Sequence, residues 1–151
     1  MTLATNNLYS ESTRGPLKAI QPAEGPGAVD KVAFTGVSGA PTLPVGTPVY
    51  LVAATGLYSK CIPSGTLDAT NDIYGIVWPA DITLGDTSVE VLGTIMIRGA
   101  VDFAVLEALR AASVLASTNQ HLKDMCRKPS NRERGIRIEN LDKLGGNAAL
   151  A

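Results

Sequence analysis

Few residues in this chain are able to do acid–base or nucleophilic chemistry. His121 is the single histidine, and the two cysteines are Cys61 and Cys126. Any Ser-His-Asp or Cys-His mechanism would need His121 as its base. We interpret His121 as an exposed residue of a polar helix, because Lys123 and Asp124 lie beside it. Cys126 would be about 140° away around such a helix. The sequence therefore predicts no catalytic residue.

Three other motifs could bind a phosphate, a metal ion or a substrate, and each is incomplete. Gly36-Val37-Ser38-Gly39 lacks the glycine spacing of a nucleophile elbow. Residues 25–30 hold two glycines, but no predicted strand precedes them and the third glycine of a dinucleotide loop is missing. Asp68, Asn71 and Asp72 do not have EF-hand spacing, and we interpret them as turn-shaping residues. With no CxxC or HxxxH pair either, we expect no cofactor and no metal.

Length and composition indicate one folded domain. The chain has 151 residues, of which 45 % are hydrophobic and 18 % charged, and this excludes a wholly disordered chain. The longest uncharged stretch, residues 32–59, is broken by prolines and glycines, so it cannot be a membrane helix. Two cysteines far apart do not make a disulfide scaffold. We expect a soluble protein made in a reducing cytoplasm, with no membrane partner.

Charge is distributed unevenly along the chain. The net charge is −1, but residues 41–102 carry two basic and six acidic side chains. Residues 103–151 carry eight basic and five acidic side chains. Because acids are interleaved with these bases, we interpret the basic end as a solvated, salt-bridged face and expect no nucleic-acid partner.

Residues 1–31 predict an extended, flexible N-terminal arm. Proline and glycine interrupt this segment repeatedly, and no hydrophobic period persists in it. Leu3, Leu8 and Tyr9 are apolar groups that a solvated tail does not need. Two interpretations stay open: a disordered leader, and an arm that becomes ordered on a partner.

From residue 32 to residue 101 the pattern is typical of short β-strands separated by turns. The clearest strand runs over residues 88–98, where Val89, Val91, Ile95 and Ile97 share one face. Short strands with a turn every 8–12 residues favour an antiparallel barrel or sandwich.

The period becomes helical after Asp102, a good N-cap, and the helical segment is predicted over 103–127. A capping box at Ser117 opens its second helix, and Pro129 ends it. A last strand follows at 135–139. We therefore predict a mainly β (α+β) fold: a small antiparallel β-barrel or sandwich domain over residues 32–140. It carries one or two helices near the C-terminus and is followed by a tail at 141–151.

The order of these segments resembles a known family. The segments that carry the likeness are LPVGTPVYL at 43–51, TGLYSK at 55–60, YGIV at 74–77 and the alternating stretch 88–98. They resemble the lambda-type head decoration proteins of tailed phages, also called capsid cement proteins. The likeness covers about residues 15–140, and the helical region 103–130 is longer than in the simplest members.

This resemblance implies a homotrimer on the outer surface of an expanded capsid, with the major capsid protein as its partner. Such proteins are part of the virion and stabilise contacts between capsid subunits without any enzymatic activity. The N-terminal arm is similar in placement to arms that add a strand to the capsid protein's sheet. Its candidate capsid-binding residues are Leu3, Leu8, Tyr9, Leu17 and Ile20.

Two alternatives remain open. The first is another small structural protein of a phage head or tail. The second, of a different class, is a small β-barrel ligand-binding protein or hydrolase.

Overall fold

A computed structural model describes residues 19–23 and 27–141 of the chain, and it is mainly β with three α-helices near the C-terminal end. The predicted α+β class is thereby confirmed. The prediction of one or two helices is too low, because the described residues form three. The strands are β1 (Ile20–Pro22), β2 (Val29–Phe34), β3 (Thr42–Leu43), β4 (Pro48–Val52), β5 (Leu57–Lys60), β6 (Gly75–Val77), β7 (Ile82–Thr83), β8 (Val91–Met96), β9 (Gly99–Asp102) and β10 (Ile136–Glu139). The helices are α1 (Phe103–Ala111), α2 (Asn119–Cys126) and α3 (Pro129–Glu133), and a 3-10 turn spans Ala69–Asn71.

Five strands pair in the closed order β2-β5-β4-β6-β8, which we call the ring. The longest pairing joins β2 and β8 over six antiparallel residue pairs, and β4 and β5 form a four-pair hairpin. Between β2 and β5 the ring is closed by one residue pair, Phe34 with Tyr58. That pairing is parallel, as is the pairing of β9 with β10. The predicted antiparallel arrangement is therefore wrong at these two places, which join strands distant in sequence.

Alternate residues of the ring strands enter two different hydrophobic clusters. Side chains from one face of β2, β4, β6 and β8 fill the inside of the ring. Those from the other face of β4, β6 and β8 pack outward, against the cluster that includes the helices. On β8, for example, Ile95 points inward and Met96 outward, and both are fully buried. This follows from the two-residue period of a strand. The inner cluster contains Phe34, Leu43, Val49, Val77, Ile82, Leu84 and Ile95.

The strand predicted over residues 88–98 is shorter than the alternation indicates. It begins at Val91, and Val89 lies before it with half of its surface exposed. At the other end Ile97 and Arg98 both direct their N–H groups toward the carbonyl of Ala28, and this breaks the ladder. The chain then starts β9, the middle strand of a separate sheet in the order β1-β9-β10.

The two longer helices begin where polar side chains cap them. The Asp102 carboxylate accepts from the N–H of Ala104 at 2.9 Å, as predicted. Helix α2 is capped by the Thr118 hydroxyl, which accepts from the N–H of His121 at 3.1 Å. The predicted cap at Ser117 is thus wrong by one residue. Helix α2 ends at Cys126, before Pro129, as predicted. Pro129 then starts the short additional helix α3, because proline is well suited to a first helical turn.

An ion-pair cluster, which we call the clamp, ties the helical layer to the ring. Asp72, just before β6, contacts the ammonium group of Lys128 and lies 3.6 Å from the guanidinium of Arg134. That guanidinium also stacks 4.1 Å from the ring centre of Tyr74. Both cations flank α3, so one carboxylate holds the two ends of this helix against the loop that leads into the ring.

At one end of the ring, the loop after β2 contacts the loop between β7 and β8, and glycines lie at the contact. The N–H of Val37 donates to the carbonyl of Gly85 at 2.9 Å, and the N–H of Gly39 donates to the Asp86 carboxylate at 3.2 Å. A Cβ on Gly36 would meet the backbone oxygens of Asp86 and Val89, the latter at 2.6 Å. Only glycine therefore allows the loops to approach so closely.

We expect Gly36→Ala to lower the free energy of unfolding by about 2–4 kcal/mol, because the added methyl group meets backbone that cannot move aside. Urea denaturation measures the change. Gly56→Ala is the control: Gly56 has a φ of 74° but open space around it, so the loss should be about 1 kcal/mol. Equal losses in the two variants would contradict this account of the loops.

We expect Asp72→Ala to lower the free energy of unfolding by about 1–2 kcal/mol, because it leaves two partly buried cations without their carboxylate. In the exposed pair of Arg137 with Glu139 the charged groups are 3.6 Å apart. Glu139→Ala should therefore cost about 0.5 kcal/mol or less. Thermal and urea unfolding compare the two, and an equally small loss for Asp72→Ala would show that the clamp contributes little.

Candidate interaction surfaces

The predicted capsid-binding residues divide into two groups. Leu3, Leu8, Tyr9 and Leu17 lie outside the described residues. Ile20 lies in β1 and is 1 % exposed, packed in the cluster between the ring and the helices. Its assignment to a capsid-binding arm is therefore wrong, because β1 pairs with β9 and its isoleucine fills the protein's own core.

The boundaries of the predicted arm and tail also shift. Residues 20–22 and 29–31, assigned to the arm, form β1 and the first half of β2. Leu141, predicted to open the C-terminal tail, is buried in the same core cluster as Ile20. The first of these segments pairs with β9 and the second with β8, and this pairing makes them part of the folded domain. Local composition does not reveal such long-range pairing.

The predicted turn at residues 68–72 is confirmed, with every polar group in use. The Asp68 carboxylate accepts from the Thr70 hydroxyl at 2.6 Å and from its N–H at 3.0 Å. These hydrogen bonds hold the pKa of Asp68 below its ordinary value. Asn71 is buried, and its side chain binds the N–H of Ser64 and the carbonyl of Thr66. Asp72 belongs to the clamp, so these oxygens are committed to shaping the chain.

His121 is half-buried, contrary to the expected exposed position. Its imidazole lies against the backbone of Gly65, where an added methyl group would be 3.2 Å from Nε2. The loop containing Gly65 is thus packed on α2, a contact between segments far apart in sequence.

Both cysteines are buried free thiols at the junction of ring and helices. Burial raises the pKa of Cys61 well above its ordinary value and that of Cys126 to about 12. The Cys61 thiol donates to the carbonyl of Asp72 at 3.4 Å. Both groups are therefore protonated near neutral pH and are poor nucleophiles. Within residues 19–23 and 27–141, no group of three histidine, cysteine or acidic side chains is placed to hold a metal ion.

A groove lies between the α2–α3 region and β10. Its volume is about 740 Å³. Arg127, Lys128 and Arg132 bring positive charge to its walls, although Lys128 is already paired with Asp72 in the clamp. Glu133 brings one negative charge, and Ile136 and Ile138 supply apolar surface. Arg132 also lines a neighbouring cavity of about 330 Å³. We call the larger cavity the basic groove. The net charge of −1 hides this groove, but the excess of bases counted over residues 103–151 falls in the part of the chain that lines it.

At the end of the ring where the glycine loops meet, the surface is acidic and apolar. Asp86 and Glu90 are exposed there, together with Val89 and Leu92, which are 52 % and 67 % exposed. We call these four residues the acidic tip. Val89 and Leu92 are three residues apart at this end of the ring, and exposed large apolar side chains are typical of interaction surfaces.

Neither native thiol should react with a water-soluble thiol reagent in the folded protein. A pKa of about 12 for Cys126 lowers its thiolate fraction at neutral pH roughly a thousandfold relative to an ordinary thiol. The measurement is Ellman titration with and without urea. Thr87→Cys, at an exposed position, is the control and should react at once. Rapid reaction of either native thiol would contradict the burial described above.

Among the described helices, none is both long and apolar enough to cross a membrane. No protein-family model matches the chain, and no curated protein matches it either.

Proposed function

We propose that this chain is a structural virion protein that binds the outer surface of a phage capsid as a trimer. There it stabilises the contacts between major capsid subunits. In this proposal the five-stranded ring is the small β-barrel of the lambda-type decoration fold. The observation that carries the proposal is the order of elements. The segments similar to that family become β4, its hairpin partner β5, then β6 and β8, and a helix and a last strand follow them.

The exposed apolar side chains support a binding role over a catalytic one. Ile62, Leu67, Val89 and Leu92 each expose half or more of their surface. A protein that contacts both a capsid and its own copies needs such surface, whereas a hydrolase needs an activated nucleophile. The buried, protonated thiols and the packed histidine do not supply one.

The arm contributes affinity in this proposal without needing a particular sequence. Residues 1–18 precede β1, and an arm that adds a strand to the capsid protein's sheet binds through main-chain hydrogen bonds. Three arms in one trimer act at high effective concentration, so contacts that are weak singly become strong together.

The test adds the purified protein to expanded, undecorated capsids assembled from the major capsid protein of the same virion. Electron cryomicroscopy should show trimeric density on the outer surface, and decorated capsids should withstand heating better. Absence of bound density would overturn the proposal. Turnover of an ester or glycoside substrate by the isolated protein would favour the hydrolase alternative.

Deleting residues 1–18 should weaken capsid binding at least about tenfold, because main-chain pairing with the capsid is lost. The melting temperature should change by no more than about 3 °C, since β1 and its buried isoleucine are kept. Binding is measured by co-sedimentation with capsids.

Deleting residues 1–22 is the control that separates binding from stability. It removes β1 and with it Ile20, so the free energy of unfolding should fall by about 2–5 kcal/mol. Full-strength decoration by the protein that lacks residues 1–18 would show that the arm is not the capsid-binding element.

A further inference from the structure

The segment that contains β6, β7 and β8 carries acidic side chains and no basic ones. Between residues 61 and 97 there are five carboxylates and no lysine or arginine. Asp68 and Asp72 are committed to the turn and the clamp described above. The remaining three, Asp81, Asp86 and Glu90, are exposed, and the last two belong to the acidic tip. No base adjacent in sequence neutralises the tip, so it presents negative charge to a partner.

The acidic tip is held in one shape before any partner arrives. The hydrogen bonds of Val37 with Gly85 and of Gly39 with Asp86 tie its loop to the neighbouring one. The carboxylate of Glu90 takes part in no hydrogen bond or ion pair among the described residues. A preorganised surface with an uncommitted charge loses little entropy on binding.

The basic groove has complementary properties. Arg132 is exposed, and within the described part of the chain its guanidinium makes no hydrogen bond or ion pair. Asn131, also in the lining of the groove, is 2 % exposed. Its Oδ1 has no hydrogen-bond partner among the described residues, although its Nδ2 donates to the carbonyls of Met125 and Cys126.

The tip and the groove of one molecule lie at opposite ends of the segment formed by β8 and the start of β9. The tip is at the start of β8, and the groove adjoins Ile136, which pairs with Gly99 beyond the end of that strand. The six residues of β8, about 17 Å along the strand, lie between them. Two complementary surfaces that cannot meet within one chain can meet between copies, in a head-to-tail contact.

We propose that the acidic tip of one copy docks in the basic groove of the next, so that this protein associates with itself head to tail. The proposal specifies the contact within the homotrimer of the proposed function and rests on it for the number of copies. Opposite charges select the partner and the register, while Val89 and Leu92 supply apolar area at the centre. A head-to-tail contact closes into a ring of three when successive copies are rotated by a third of a turn.

The experiment crosslinks two variants of the full chain that each carry one added cysteine, because crosslinking captures contacts that are weak in solution. Thr87→Cys places a thiol at the tip, and Glu133→Cys places one at the groove; both positions are exposed. At about 1 mM protein, where contacts of millimolar affinity are populated, a short bis-maleimide should join one variant to the other. Each variant incubated singly should give little dimer. Ala54→Cys, at an exposed turn, replaces the tip thiol as the matched control.

Charge reversal then tests the chemistry of the contact. Introducing Glu90→Arg into the tip variant should lower the yield of crosslinked dimer about fivefold or more, and Arg132→Glu in the groove variant should restore it. Raising the salt from about 0.05 M to about 0.5 M should weaken the wild-type contact.

Homodimers of the tip variant would overturn the proposal, because they indicate a symmetric contact. So would a yield no higher than that of the control pair, or failure of the reversed pair to recover. The same variants are tested for capsid decoration. Crosslinking and rescue without any decoration would leave the self-contact standing and would contradict the proposed function instead.

Discussion

Closing five strands into a ring gives each strand an inner face and an outer face. The inner faces are buried against one another by the closure itself. Side chains such as Phe34 and Ile95 fill the inside. The outer side chains of β4, β6 and β8, Ile76 and Met96 among them, are also apolar and need a second layer over them. The helices and the three-stranded sheet provide that layer. The requirement to bury both faces of the same strands is therefore the constraint on which the rest of the fold depends.

The second layer is attached by a few specific contacts as well as by apolar packing. The clamp joins α3 to the loop before β6, and Asn131 binds the carbonyls at the end of α2. The same packing encloses the two thiols. Chemistry that would require an ionised nucleophile is thus opposed by the way the layers meet.

The described surface has two charged regions, each with apolar side chains beside it. Asp86 and Glu90 lie at one end of the ring, and Arg127 and Arg132 lie around the groove near β10. In the proposed assembly, charge selects which surfaces meet and apolar contact holds them, while the arm links each copy to the capsid. No single contact has to be strong, because a trimer repeats each of them three times.

The amino-acid sequence by itself determined the class of the fold and several local features. The alternation around Ile95, the cap at Asp102 and the turn at Asp68 depend on neighbours within a few residues, and these predictions are confirmed. Other features depended on partners far along the chain. Ile20 looked like part of an arm, and only its pairing with β9 makes it a core residue. The parallel closure of β2 on β5, the clamp, and the separation of the acidic tip from the basic groove are likewise decided by tertiary structure. The physical reason is that each of these features depends on residues tens of positions apart in the chain. Local periodicity and composition carry no information about which of them will meet.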